Sequence, residues 1–201
     1  MSSLRRIVPI LALAAAVLLA GCGGGGGKKT ETTTSAGGRP ALDAAKTYEV
    51  TLKTSEGSFN FSLDVKDSPN TTASFASLVK KGFFDGLTFH RIVPDFVIQG
   101  GDPKGDGTGG PGYTTVDVPP SDTRYTKGVV AMAKGGSEPP GTSGSQFFVV
   151  TADDAGLPPD YAVLGKVTNG LDVVEKIGQL GDASEQPTKK IVIEKATLSE
   201  S

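Results

Sequence analysis

From Tyr48 onward the chain alternates apolar and polar residues in short runs. YEVTLKT (48–54) and SFNFSLDV (58–65) both repeat with a period of two, which lines one face of a half-buried strand. Ser55-Glu56-Gly57 lies between them, so the pair predicts a β-hairpin. The period changes in DSPNTTASFASLVKKG (67–82): Phe75, Leu78 and Val79 share one helical face, Pro69 stands near the start and Gly82 at the end. That spacing predicts a helix of about twelve residues. LTFHRI (87–92) and DFVIQG (95–100) are the next strand candidates. Residues 100–127 are rich in Gly, Pro, Asp and Thr and predict a long loop. VVAMA (129–133), QFFVVTA (146–152) and AVLGKVT (162–168) read as strands, and the nearly continuous apolar run of QFFVVTA suits a central one. LDVVEKIGQL (171–180) returns to helical spacing, and KIVIEKATL (190–198) alternates and closes the chain as a strand.

The tally is about eight strands and two helices, with turns rather than regular crossover helices between strands. That pattern disfavours a doubly wound sheet. It predicts a mainly β fold: a closed eight-stranded antiparallel β-barrel capped by two α-helices. Residues 47–201 are expected to form this one domain.

The first 46 residues have a different character. Met1–Arg6 is short and basic, and Ile7–Ala20 is apolar but, at about fourteen residues, short for a bilayer span. Leu19-Ala20-Gly21-Cys22 follows and resembles the bacterial lipobox, in which the cysteine is acylated and becomes the new N-terminus. Residues 1–21 are therefore expected to be a lipoprotein signal peptide, with Cys22 as the lipidation site. Two or three acyl chains hold a protein on a membrane, where one is marginal. Residues 22–46 carry too little apolar surface to offset the entropy of ordering and predict a flexible tether. The expected location is outside the cytoplasm, anchored to the cell membrane. Cys22 is the chain's single cysteine, so the folded part has no disulfide. The net charge of −2 argues against a nucleic-acid partner.

Several motif matches fail on context. Gly105-Asp106-Gly107-Thr108-Gly109-Gly110 satisfies G-x-G-x-x-G, but Pro111-Gly112-Tyr113 follows where a phosphate-binding helix should open. Asp102 and Asp106 lack the remaining ligands of a calcium loop. Gly141-Thr142-Ser143-Gly144-Ser145 misses the nucleophile elbow at its last position. No His/Cys cluster suggests zinc, so neither metal nor cofactor is expected. In FHRIVPDFVIQGGD (89–102) the single histidine, His90, stands beside Arg91. Neighbours in a strand face opposite ways, so if Arg91 faces a cleft then His90 faces the packing.

FHRIVPDFVIQGGD, the GTGGPGY loop, GSQFFVVTA and VLGKVTNGLDVVEKI together resemble the cyclophilins, over about Tyr48 to Leu198. The resemblance implies a peptidyl-prolyl cis–trans isomerase on an eight-stranded barrel with two capping helices, acting on proline-containing polypeptides; the sequence itself suggests a monomer. It implies that Arg91 is the catalytic arginine and that Gln99 helps place the substrate backbone. Phe96, Val97, Phe148 and Leu157 correspond to the wall of the proline pocket. Gln146 lies beside the groove, and Ala133 and Lys134 match a strand edge that holds the peptide. Val97 replaces a common methionine and Lys134 a common asparagine. Gly156 and Tyr161 fall where eukaryotic members carry tryptophan and histidine, which implies weak cyclosporin binding with isomerase activity retained.

Arginine suits the reaction. Amide resonance gives the X–Pro bond a rotation barrier of about 18–20 kcal/mol. In the twisted transition state the proline nitrogen regains its lone pair, and a donor aimed at it stabilises that state above both planar ones. A guanidinium is always charged and its donors are well directed. The competing reading is a non-catalytic proline-peptide-binding module or chaperone that uses the same groove.

Overall fold

The computed structural model describes residues 34–35 and 39–201. The signal-like segment, Cys22 and most of the expected tether lie outside the described residues. Two short strands, β1 (Thr34–Ser35) and β2 (Arg39–Pro40), pair antiparallel. Leu42 already packs on the core and the Asp43 amide donates to the Tyr48 hydroxyl at 3.1 Å, so tertiary packing starts upstream of Tyr48.

The predicted hairpin is β3 (Tyr48–Thr54) and β4 (Gly57–Leu63), and the first helix is α1 (Pro69–Lys80). Then come β5 (Phe89–Val93), β6 (Val97–Gly100), β7 (Thr115–Val116), β8 (Val129–Met132), β9 (Thr142–Ser143) and β10 (Phe147–Val150). The chain ends with β11 (Val163–Asn169), α2 (Leu171–Gly178) and β12 (Ile193–Glu200). Eight strands form one sheet in the order β12-β3-β4-β11-β8-β10-β6-β5, with every neighbouring pair antiparallel.

The expectation of a closed barrel needs one correction. The sheet is strongly curled, but its edges β5 and β12 share no ladder. They meet through an isolated bridge, Thr88 to Val192, with Phe89 N–H donating to Ile191 O at 3.1 Å and Ile193 N–H to Leu87 O at 2.8 Å. Beyond that bridge the turn after α1 occupies the seam: Gly86 N–H donates to Ile193 O at 2.8 Å, and Ala196 N–H to the Asp85 carboxylate at 3.0 Å. The seam is therefore spanned by one short bridge and, beyond it, by a turn rather than by a continuous ladder.

The two faces of the sheet bury two separate clusters. Inside the curl lie Val50, Leu52, Phe59, Phe61, Phe89, Ile92, Ile98, Val130, Met132, Phe147 and Val149, joined by Phe75 of α1 and by Val174 and Ile177 of α2. Phe147 makes edge contacts with Phe75, Phe84 and Phe89 at centroid distances of 5.6–6.0 Å. Outside the curl lie Val97, Val129, Ala131, Phe148 and Val150, with Tyr125 beneath them. This explains the continuous apolar run of β10, whose alternate residues serve both clusters.

The loop between β6 and β8 is irregular but well tied. Asp102 is almost fully buried and accepts from the amides of Lys104 (2.8 Å), Asp106 (3.2 Å) and Gly107 (2.6 Å). Burial alone would push its carboxyl up; the backbone donors bring it below its ordinary value. Ser68 offers α1 no side-chain cap, and Asp117 from this loop supplies one: its carboxylate accepts Thr71 N–H at 2.6 Å and also the Asn70 side-chain Nδ2–H at 2.9 Å.

Candidate active site

Strand register sets the site. Cα pairing runs Arg91 to Gln99, Gln99 to Phe148 and Phe148 to Ala131, a row across β5, β6, β10 and β8. These residues point away from the inner core. Strict alternation would place Phe89 and Arg91 on the same face. The ladder prevents this with a bulge between Phe89 and Arg91, where β5 carries one residue more than β6. Phe89 enters the core, Arg91 reaches the outer groove, and His90 occupies the bulge. Gly100 sits opposite, where a Cβ would lie only 3.0 Å from Thr88 O and 3.1 Å from the Phe89 ring.

Arg91, Phe96, Val97, Gln99, Ala133, Lys134, Phe148, Leu157 and Tyr161 line one cavity of about 330 Å3. Every cavity residue expected from the sequence is present, and Gln146 joins through Gln99. A polar relay runs along one rim. Arg91 Nη1 donates to Gln99 Oε1 at 3.3 Å, and Gln99 Nε2 donates to Gln146 Oε1 at 3.1 Å. Gln146 Nε2 then donates to the carbonyls of Gly107 and Gly109, both at 2.9 Å. The glycine loop thus offers acceptors to the groove, the opposite polarity to a phosphate cradle.

The apolar wall rests on Tyr125, which has no exposed surface. Its hydroxyl donates to Tyr161 O at 2.6 Å and accepts from Tyr161 N–H at 3.0 Å. Burial pushes the Tyr125 phenol up to about 12, so it stays neutral and keeps its proton to donate. Tyr161 in turn stands edge-on to Phe148 at 5.5 Å, and the Lys134 ammonium lies 5.5 Å from the Tyr161 ring centre. Phe96 follows Asp95, whose φ of +54° turns the chain sharply into the wall. The Phe96 carbonyl accepts Thr151 N–H at 2.9 Å, which fastens that turn to the segment after β10.

His90 does not line the cavity. Both its ring nitrogens are buried without a hydrogen-bond partner, and burial lowers its pKa, with the repulsion of Arg91 adding to this and the attraction of Asp102 opposing it without overcoming it. Among the described residues no three His, Cys, Asp or Glu side chains converge as a metal site.

Two residues of the site were not legible in the sequence. Tyr125 lies in a stretch that reads only as loop. Glu185, in the loop after α2, accepts a hydrogen bond from Arg91 Nε at 2.6 Å. No spacing rule links positions so far apart, and only the fold brings them together.

A wider groove of about 870 Å3 shares Gln99, Ala133 and Lys134 with the cavity and is walled by residues 107–114 and by Gly135, Ser137 and Glu138. The Arg91 guanidinium lines the smaller cavity, and the wider groove continues from it past Gln99, Ala133 and Lys134.

Residues 49–198 match the family described as cyclophilin type peptidyl-prolyl cis-trans isomerase/CLD. A Helicobacter pylori peptidyl-prolyl cis-trans isomerase is 41% identical over 146 residues, which is 71% of this chain and 87% of that protein. The Arabidopsis thaliana peptidyl-prolyl cis-trans isomerase CYP18-2 is 37% identical over 150 residues, covering 72% of this chain and 90% of its own length. Among solved structures, a Cryptosporidium parvum cyclophilin type isomerase superposes with a TM-score of 0.70 at 29% identity, covering 76% of this chain and 98% of its own. The same protein, crystallised in the presence of the dipeptide Ala-Pro, gives 0.69. The curled eight-stranded sheet with two helices agrees with the solved relative, and the chain belongs to the cyclophilin-type peptidyl-prolyl cis-trans isomerase family.

Proposed function

We propose that this chain is a membrane-tethered peptidyl-prolyl cis–trans isomerase that assists the folding of exported proteins, with Arg91 as its catalytic group. The observation that carries the reading is the union of an apolar pocket with one guanidinium at its rim. Phe96, Val97, Phe148, Leu157 and Tyr161 hold the proline ring, and burial of the ring in this pocket is the source of affinity. Gln99, Gln146 and the edge at Ala133–Lys134 hold the flanking peptide, so rotation is confined to the X–Pro bond. Arg91 donates to the proline nitrogen as that bond twists, and neither planar isomer gains the same contact. No bond to the enzyme forms, and the proton stays on the guanidinium throughout.

The tether rests on the sequence: a basic start, a short apolar run and Leu19-Ala20-Gly21-Cys22. An acylated Cys22 would hold the domain at the extracytoplasmic face of the cell membrane, among polypeptides emerging from export. Cys22→Ser tests this. The variant should leave the membrane fraction with its isomerase rate intact; a variant that stays with the membrane contradicts the anchor.

The second reading, a non-catalytic binding module, uses the same apolar pocket without the arginine. A protease-coupled isomerisation assay on a proline tetrapeptide separates the two. Acceleration by the purified chain supports the enzyme, and binding without acceleration supports the module.

A further inference from the structure

The catalytic donor is itself held by a second residue. Arg91 Nε donates to Glu185 Oε2 at 2.6 Å, and Nη1 donates to Gln99 at 3.3 Å. Nη2 has no hydrogen-bond acceptor among the described residues and is the nitrogen left for a substrate. A guanidinium is rigid and planar, so fixing two of its three nitrogens fixes the direction of the third. Gln99 alone leaves the plane free to swing about one contact.

Glu185 is built into this position from three sides. Its carbonyl accepts Ile92 N–H at 3.0 Å, the residue next to Arg91, so backbone and side chain grip adjacent points of β5. Its own φ is +63°, an uncommon conformation for a residue with a side chain. Asp182 holds that turn: its carboxylate accepts the amides of Ser184 (2.8 Å) and Gln186 (3.0 Å), and its carbonyl accepts Glu185 N–H at 3.0 Å. The turn is closed by the Gly181–Pro187 bridge and seated so tightly that a Cβ on Gly181 would strike the Ile92 carbonyl and Pro94. The pair itself is partly solvent-exposed, 32% for Arg91 and 49% for Glu185, and exposed ion pairs add little to folding. So much local construction for so little stability needs another purpose.

We infer that Glu185 is a positioning residue for prolyl isomerisation, aiming Arg91 at the substrate through Nε. The inference rests on the proposed role of Arg91 and adds a requirement to it. Carboxylate charge is not what the role needs; an acceptor at that point is.

The test compares the full-length chain with Glu185→Ala, Glu185→Gln and Arg91→Ala, and the Glu185→Ala/Arg91→Ala double variant. Exchange NMR on a proline peptide gives kcat and KM, and thermal melts confirm folding. Glu185→Ala should lower kcat by about tenfold with little change in KM, since misaim weakens the transition state and not the ring pocket. Glu185→Gln, which keeps an oxygen acceptor, should recover most of that loss. In the Arg91→Ala background, removing Glu185 should cost nothing further. A Glu185→Ala kcat equal to wild type overturns the inference while leaving the isomerase reading intact. So does a Glu185→Gln loss as large as that of Glu185→Ala, or an undiminished loss in the Arg91→Ala background. A wild-type chain without isomerase activity instead overturns the functional reading beneath it.

Discussion

His90 is the chain's single histidine, and both its ring nitrogens are buried without a hydrogen-bond partner. Histidine is the usual acid–base group near neutral pH, whereas arginine side chains serve as permanently charged donors. The bulge turns Arg91 outward into the cavity and leaves His90 beside the buried Asp102, which is why the proposed chemistry falls to the neighbour. A histidine whose folded pKa lies below its ordinary 6.5 binds fewer protons folded than unfolded as pH falls through that value. Stability is therefore complete above 6.5 and declines as pH drops from there toward the folded pKa. Denaturant titrations from about pH 7.5 to about pH 5.5 should show this decline in the wild type and a shallower one in His90→Gln. The isomerase rate of His90→Gln should stay close to wild type. An equal decline in both proteins would assign the effect to carboxylates elsewhere. Arg91's place in the cavity was legible in the sequence and its contact with Glu185 was not, because adjacency along the chain is visible and contact across the fold is not.

At the scale of elements, the strands and both helices were legible because each keeps one period over its length. β3 spans the predicted residues, and α1 has the predicted twelve. The two-residue strands β7 and β9 were not, since two residues cannot show a period. Nor was the bulge in β5, which depends on how Gly100 receives Phe89 across the ladder. Tyr125 shows what a loop assignment conceals: it supports the wall of the pocket through both backbone groups of Tyr161. Tyr125→Phe keeps the ring and removes both bonds. It should cost about 1–3 kcal/mol of stability by leaving the Tyr161 backbone unpaired. Because the wall then drifts, KM should rise severalfold while kcat changes little. Denaturant titration and steady-state kinetics on one preparation read both, and an unchanged KM would confine Tyr125 to folding.

At the scale of the molecule, one curled sheet does two jobs. Its inner face buries the core that makes the domain fold, and its outer face presents the pocket. β10 contributes Phe147 to one and Phe148 to the other. Core and site are therefore coupled through a four-residue strand, so large-to-small changes at Phe147 are expected to disturb both. The overall architecture was legible from strand count and spacing, whereas the seam was not: whether the edges zip or are filled by a turn depends on Asp85 and Gly86, which read only as punctuation. In the proposed mechanism a guanidinium, and no bound nucleophile or titrating base, lowers the barrier to rotation. The most direct measurement is kcat/KM for the full-length chain and for Arg91→Ala on the same proline peptide, with folding verified by thermal melt. Arg91→Ala should lose on the order of a hundredfold with the fold retained. A folded Arg91→Ala protein that isomerises as fast as wild type would contradict it.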